Sequence, residues 1–403
     1  MKTFTEFSLS PKLNANLSRN GFDVPTPIQA AAIGPALAGK DLVATAQTGT
    51  GKTLAFVLPV IERLTNTGSS SGIRCVILSP TRELALQINE TFVKMAAGTG
   101  LRAATVVGGL SEKSQLQAIR KGAQVLIATA GRLEDFLNRG LVNLGRVQIL
   151  VLDEADRMLD MGFLPTLERI IAALPANRQT LFFSATIESS VRHLVERHVP
   201  NGVRIEIGST TKPAGQIDLR LYEVEQNQKL ALLHRLLQQD EGSFLVFART
   251  KHGADRLARR LADEGVKTAA IHGDRSQNQR NQALRGFQTG YYRVLVATDV
   301  ASRGIHVDGI SHVVNYDLPQ VAEDFIHRVG RTGRAGARGT ASTFGTCLER
   351  STVADMERKL AIRLTRYTET CEVAEVQSHA VSQRPRRWQS YAPGRGRRVR
   401  RSA

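Results

Sequence analysis

Three short segments of this chain carry side chains whose types and spacing could do phosphate chemistry. They are Ala46-Gln47-Thr48-Gly49-Thr50-Gly51-Lys52-Thr53, Asp153-Glu154-Ala155-Asp156, and His327-Arg328-Val329-Gly330-Arg331-Thr332-Gly333-Arg334. In the first, glycines let backbone N–H groups approach phosphates closely, Lys52 brings a cation to the β/γ positions and Thr53 a hydroxyl for Mg²⁺. The second pairs acids for a metal and a water. The third offers arginines able to meet a triphosphate from outside. Together they imply an NTP hydrolase assembled from two halves.

Strands must position these groups. Leu42-Val43-Ala44 reads as a buried strand that ends in the small-residue loop, and Leu54-Ala55-Phe56-Val57 resumes as a helix. Ala46 stands where the strict phosphate-loop pattern has glycine; Gly49 and Gly51 still supply the close approach. Ile149-Leu150-Val151-Leu152 puts the acids at a strand's carboxyl end, where open α/β sheets bind ligands, rather than in an acidic surface cluster.

With these residues in view, the chain resembles the DEAD-box ATP-dependent RNA helicases over about residues 4 to 345. Phe4, Gly21-Phe22 and Pro25-Thr26-Pro27-Ile28-Gln29 resemble the adenine-reading Q motif. Pro80-Thr81-Arg82-Glu83-Leu84-Ala85, Gly108-Gly109 and Thr129-Ala130-Gly131-Arg132 resemble the RNA-backbone contacts of the first domain, and Ser184-Ala185-Thr186 the segment that couples hydrolysis to unwinding. Phe244 to Thr250, Gln277 to Arg280 and Thr298 to Gly304 match the remaining RNA and nucleotide motifs. Two positions depart from the pattern. Ala130 replaces a usual proline, which is expected to loosen a turn, and His306 replaces an aspartate that commonly contacts the ribose. The short N-terminus and brief basic tail resemble bacterial RhlE-like members.

The resemblance implies an α/β fold of two RecA-like parallel-sheet domains joined by a flexible linker. It places the ATP-binding domain at 1–207, the linker at 208–215, the C-terminal helicase domain at 216–372 and a disordered basic tail at 373–403. Apolar runs near Leu42, Val76, Val125, Ile149 and Leu181, then near Phe244, Ala269, Val294 and Val313, agree with two parallel sheets.

It further implies roles for particular residues. ATP would be held by Phe4, Phe22, Thr26, Gln29, the loop Ala46 to Thr53, Gly304 and His306, with Thr53 and Asp153 on Mg²⁺. Lys52, Asp153, Glu154, Arg331 and Arg334 would serve hydrolysis, Glu154 handling the water. The two arginines would act as fingers, a role worth about 10³–10⁵ in rate. RNA would meet Pro80, Thr81, Arg82, Gly109, Thr129, Gly131, Arg132, Arg249, Gly273, Arg280 and Thr298, largely through phosphate and sugar and without reading sequence. Ser184 and Thr186 would couple the two processes. A clamp that closes on ATP and bends one strand implies local, non-processive unwinding; an assembly platform and a DNA-directed motor are the alternatives. Ribosome-assembly or RNA-decay proteins are the partners such a helicase would have.

Composition is compatible with that reading. The 403 residues carry a net charge of +17, with 42% hydrophobic residues, ample for α/β cores. From Arg384 to Arg401 there are eight arginines and no acid, interleaved with Trp388 and Tyr391, which suits weak stacking and phosphate attraction. Cys75, Cys347 and Cys371 have no metal-ligand spacing, and no apolar run approaches the roughly 20 residues of a membrane span. The expectation is a cytoplasmic protein with no membrane partner and no targeting segment before the Q motif.

Overall fold

The computed structural model describes residues 3–46, 49–67, 72–187, 189–207, 217–299, 307, 309–333 and 338–367. Strands β1 (Leu42–Ala46), β2 (Cys75–Ser79), β3 (Ala103–Val106), β4 (Val125–Thr129), β5 (Ile149–Leu152), β6 (Gln179–Ser184) and β7 (Val203–Ile207) form one sheet. Strands β8 (Ile217–Glu223), β9 (Phe244–Phe247), β10 (Thr268–Ile271), β11 (Val294–Ala297), β12 (His312–Asn315), β13 (Gly339–Gly345) and β14 (Thr365–Tyr367) form the other. Their spatial orders are β3-β4-β2-β5-β6-β1-β7 and β10-β11-β9-β12-β13-β8-β14, so the second sheet repeats the topology of the first strand for strand. Neighbours pair in parallel, as in the register Ser79↔Thr129 between β2 and β4 and Phe247↔Ala297 between β9 and β11. The chain is therefore two RecA-like α/β units.

Parallel strands need helical crossovers, which cover both faces and make central strands continuously apolar. In β2, alternate side chains go to opposite cores. Cys75 and Ile77 pack with helices Pro27–Leu37, Lys52–Asn66 and Arg82–Met95, while Val76 and Leu78 pack with Ala130–Asn138 and Leu164–Ala172. The second sheet is covered on one face by helices Lys229–Gln239 and Lys251–Asp263, and on the other by Gln277–Gln288, Ala322–Val329 and Arg350–Leu360.

Five strands lie outside the apolar runs of the sequence, and each has a reason. β3, β7 and β14 are short or sit at sheet edges, where half-buried alternation replaces a solid run. β8 alternates Ile217-Asp218-Leu219-Arg220-Leu221, and β13 is built of small and hydroxyl residues, Gly339-Thr340-Ala341-Ser342-Thr343. The segment expected as linker and the basic tail lie outside the described residues. Among the described residues no helix is long and apolar enough to cross a membrane.

The loops that carry the motifs leave the carboxyl ends of β1 to β6 and of β9 to β12. Helix Gln277–Gln288 of the second unit touches the first: Gln277 Nε2 donates to Glu83 Oε1 at 2.9 Å, and Arg280 Nη2 lies 3.0 Å from Glu83 Oε2. All three side chains are buried. The two units meet along this seam.

Candidate functional site

Gly49 and Gly51 adopt φ of 87° and 89°, the left-handed region open to glycine. Gly51 caps helix Lys52–Asn66, and a Cβ there would lie 2.5 Å from Gln29 Nε2. That closeness has a purpose in the fold. Gln29 Nε2 donates to the Gly51 carbonyl at 2.9 Å, while Gln29 Oε1 accepts from the Thr26 N–H at 2.9 Å. The amide expected to read adenine is thus pinned to the phosphate loop, with one N–H and one lone pair beyond these two bonds. Phe4 is buried against Phe7, their ring centroids 6.3 Å apart, and Phe22 is the exposed aromatic of the segment. Gln47 and Thr48 lie outside the described residues.

Lys52 is buried and donates from Nζ to the Ala46 carbonyl at 2.9 Å. Asp153 is also buried; burial pushes its carboxyl up to about 7, against the pull of Lys52 and with the push of Glu154. Its Oδ1 has no hydrogen-bond partner among the described residues. A buried, unpartnered carboxylate oxygen near the lysine of a phosphate loop, with the half-buried Thr53 near the start of the same helix, is the hard oxygen donor set that suits Mg²⁺ on a nucleotide.

Glu154 holds φ 51° and ψ 50°, one of two non-glycine residues in the left-handed region among the described residues. Such strain persists where the surroundings over-determine it. Here Arg157 Nη1 grips Glu154 Oε2 at 2.7 Å, both side chains being almost fully enclosed. Asp156 is spent on the neighbouring strand. Its Oδ2 accepts from the N–H groups of Ala185 and Thr186 at 2.9 and 3.0 Å and from Thr186 Oγ1 at 3.3 Å, while the Asp156 N–H donates to Ser184 Oγ at 3.3 Å. Ser184 and Thr186 are thereby wired to the acidic turn, a link that the sequence signals only as two separate motifs. Residue type and spacing assign no separate role to Asp156, Arg157 or Glu83.

The second unit reaches this centre through helix Ala322–Val329. His327 is half-buried, and burial drives its imidazole well below the ordinary range, helped by the charges of Arg157, Arg331 and Lys52 and opposed by Glu154. Three of those groups belong to the first unit, so His327 lies within electrostatic reach of the acid and phosphate loops. Arg331 is buried and donates from Nε to the His327 carbonyl at 3.2 Å. Arg328 grips Asp299 with two bonds, Nε to Oδ1 at 2.6 Å and Nη2 to Oδ2 at 2.7 Å, and donates to the Asp317 carbonyl at 2.7 Å. That pairing ties the strand end at Thr298 to the arginine helix, and no sequence signal marks either partner for it. Arg334, Gly304 and His306 lie outside the described residues.

The residues assigned to RNA gather along the carboxyl edges of both sheets. Thr81 caps helix Arg82–Met95, accepting from the Leu84 N–H at 3.3 Å, directly after Pro80. Arg82 lies over Gly108 and Gly109, and at Gly109, with φ of 75°, a Cβ would strike its guanidinium. Thr129 ends β4, and Ala130 opens helix Ala130–Asn138. This is a first-turn position that proline and alanine both accept, and the helix starts there with alanine. Gly131 is exposed beside Arg132, which is paired with Asp135 at 3.2 Å and Glu112 at 3.5 Å. Arg249 is exposed, 3.3 Å from Glu349, with its backbone N–H donating to Asp317 at 2.8 Å; Gly273 is exposed, with open space where a Cβ would sit. Thr298 is buried at the end of β11. Arg280 differs from the other arginines assigned to RNA, since it is committed to Glu83 in the seam.

Comparison with known proteins agrees with this arrangement. Residues 26–194 match the family model of the DEAD/DEAH box helicase, and residues 228–336 that of the helicase conserved C-terminal domain. The chain is 42% identical over 369 residues to a DEAD-box ATP-dependent RNA helicase CshA of Geobacillus kaustophilus, covering 89% of this chain and 78% of that protein. It is 44% identical over 351 residues to an ATP-dependent RNA helicase RhlB of Pseudomonas syringae pv. tomato, covering 85% and 88%. Among solved structures it is similar to S. cerevisiae Dbp5 bound to RNA and ADP BeF3, with a TM-score of 0.82 and 31% identity over 92% of this chain and 96% of that one. It is likewise similar to Mss116p bound to single-stranded RNA and AMP-PNP, with a TM-score of 0.83 and 29% identity over 91% and 78%. A phosphate loop and acidic turn in one unit, and an arginine helix in the other, thus sit in a chain that belongs to the DEAD-box ATP-dependent RNA helicases.

Proposed function

We propose that this chain hydrolyses ATP between its two units and uses closure to hold and bend a single RNA strand, separating short duplexes locally. The observation that carries the reading is the seam itself: Glu83 bonded to Gln277 and Arg280, with His327 within electrostatic reach of Lys52, Glu154 and Arg157. A site completed only by both units makes hydrolysis depend on closure, and RNA laid across both edges favours the same state. ATP and RNA binding are then coupled, each strengthening the other by the same factor.

Within the site, Lys52 and the loop amides bind the phosphates, and Glu154, fixed by Arg157, orients the attacking water. Thr53 and Asp153 would hold Mg²⁺, which neutralises charge on the phosphate oxygens when bound. Arg331 and Arg334 stabilise the charge on the transferring group. Gln29 and Phe4 select adenine, and the ribose contact is assigned to Gly304 and His306. The RNA contacts carry no base readout, so action on many sequences follows. A cytoplasmic location fits a chain whose described cysteines, Cys75 and Cys347, are unpaired. The test is Glu154→Gln in the full chain. ATP binding should stay near wild type while RNA-stimulated turnover falls by at least about 10²-fold; wild-type turnover would remove Glu154 from the chemistry.

A further inference from the structure

The repeated topology gives the second unit a counterpart of the nucleotide site. β8 leads into helix Lys229–Gln239 as β1 leads into helix Lys52–Asn66, and in each case the helix begins with lysine. Lys229 is buried, donates to the Tyr316 carbonyl at 2.9 Å and lies 3.9 Å from Asp317, just beyond β12, the strand that takes the place of β5. The phosphate cradle is gone, however. Residues 224–228 contain no glycine and include Glu225, so backbone amides cannot crowd around a triphosphate.

What persists is a cleft of about 330 Å³. Leu257 is buried in its wall, Tyr316 is half-buried, Gln226 and Asn227 present exposed amides, and Arg256 and Arg260 lie one helical turn apart. Neither arginine has an ion-pair partner among the described residues. Burial and Asp317 hold the Tyr316 phenol above its ordinary range while Arg260 and Arg256, which line the same cleft, pull it back. Ala248 also lines the cleft, and the next residue is Arg249, whose N–H is bonded to Asp317, itself in the wall. The cleft therefore continues directly from the edge assigned to RNA.

We propose that this cleft takes one further nucleotide of the bound single strand, its base against Tyr316 and Leu257 and its phosphate on Arg256 and Arg260. An aromatic face, two hydrogen-bonding amides and unpaired guanidiniums suit a base and one phosphate, in the manner of sequence-tolerant strand binding. The proposal rests on reading Arg249 as an RNA contact.

The test measures half-saturating RNA in the ATPase of the full chain, using oligouridylates of increasing length. Arg256→Glu with Arg260→Glu should leave short strands unaffected and raise the value for long strands about tenfold, with saturated turnover unchanged. Arg249→Ala, run beside it, should weaken every length. A photoreactive uridine at the end of the long strand should crosslink to Tyr316. An unchanged long-strand value in the double variant, with Arg249→Ala still weakening all lengths, overturns the cleft alone; no effect of either variant overturns the RNA reading as well. Loss of polyaspartate binding in the double variant without any change in RNA binding overturns the assignment in favour of an acidic peptide.

Discussion

Asp153 and Asp156 are three residues apart and do opposite work. Asp156 is saturated with hydrogen bonds to Ala185, Thr186 and Ser184, whereas Asp153 keeps an unpartnered oxygen in a buried place. Buried polar groups left without partners cost free energy, and they persist where a ligand completes them. The raised carboxyl of Asp153 gives this a pH signature in the nucleotide-free protein. An unfolded aspartate ionises near pH ~3.9, while the folded one holds its proton up to about pH 7. The fold thus binds more protons in that window, and its stability declines as pH rises through it. Urea titrations between pH 4 and 7 should show a downward slope that Asp153→Asn flattens; an equal slope in the variant would place its origin elsewhere. Gln29 supports a second prediction. Its amide keeps one donor and one acceptor for a base, so Gln29→Ala should weaken ATP binding by about tenfold, a loss of roughly one or two hydrogen bonds, and GTP binding far less. Equal losses for both nucleotides would mean that Gln29 acts only by bracing Gly51.

At the scale of elements, turns are legible in the sequence because each carries its chemistry at a strand's end. Residue type and spacing suffice to place Gly49, Gly51, Asp153 and Glu154, and the interior strands other than β8 and β13 are visible as apolar runs. Pairings between elements are not legible. Nothing in Glu83 announces that a helix nearly two hundred residues later will bring Gln277 and Arg280 to it, and by motif alone Arg280 reads as a surface phosphate contact. Nor does a sequence show that Arg328 is occupied by Asp299 while Arg331 bonds the His327 carbonyl. The seam invites a double-mutant cycle. Glu83→Ala and Arg280→Ala should each raise half-saturating RNA for ATPase, and the double variant should fall short of the summed effect, with a coupling of about 0.5–3 kcal/mol. Strict additivity would show that the ion pair plays no part in closure.

The whole molecule adds a basic tail to a two-part motor. Every described residue assigned to phosphate chemistry precedes Gly333, and the eight arginines between Arg384 and Arg401 carry nearly half of the net charge of +17. Removing residues 380–403 should therefore raise half-saturating RNA and flatten its salt dependence, by a log–log slope of about 0.7 for each phosphate no longer neutralised. Saturated turnover should hold. Its loss on truncation would make the tail a participant in closure.

The buried charges at Glu83 and Arg280 also give the molecule a thermal bias. When the units part, both groups regain water, and hydration of charged groups becomes less favourable as temperature rises. Warming therefore favours the shut state and cooling the open one, apart from any change in the rate of bond cleavage. Chilled, this clamp would idle open.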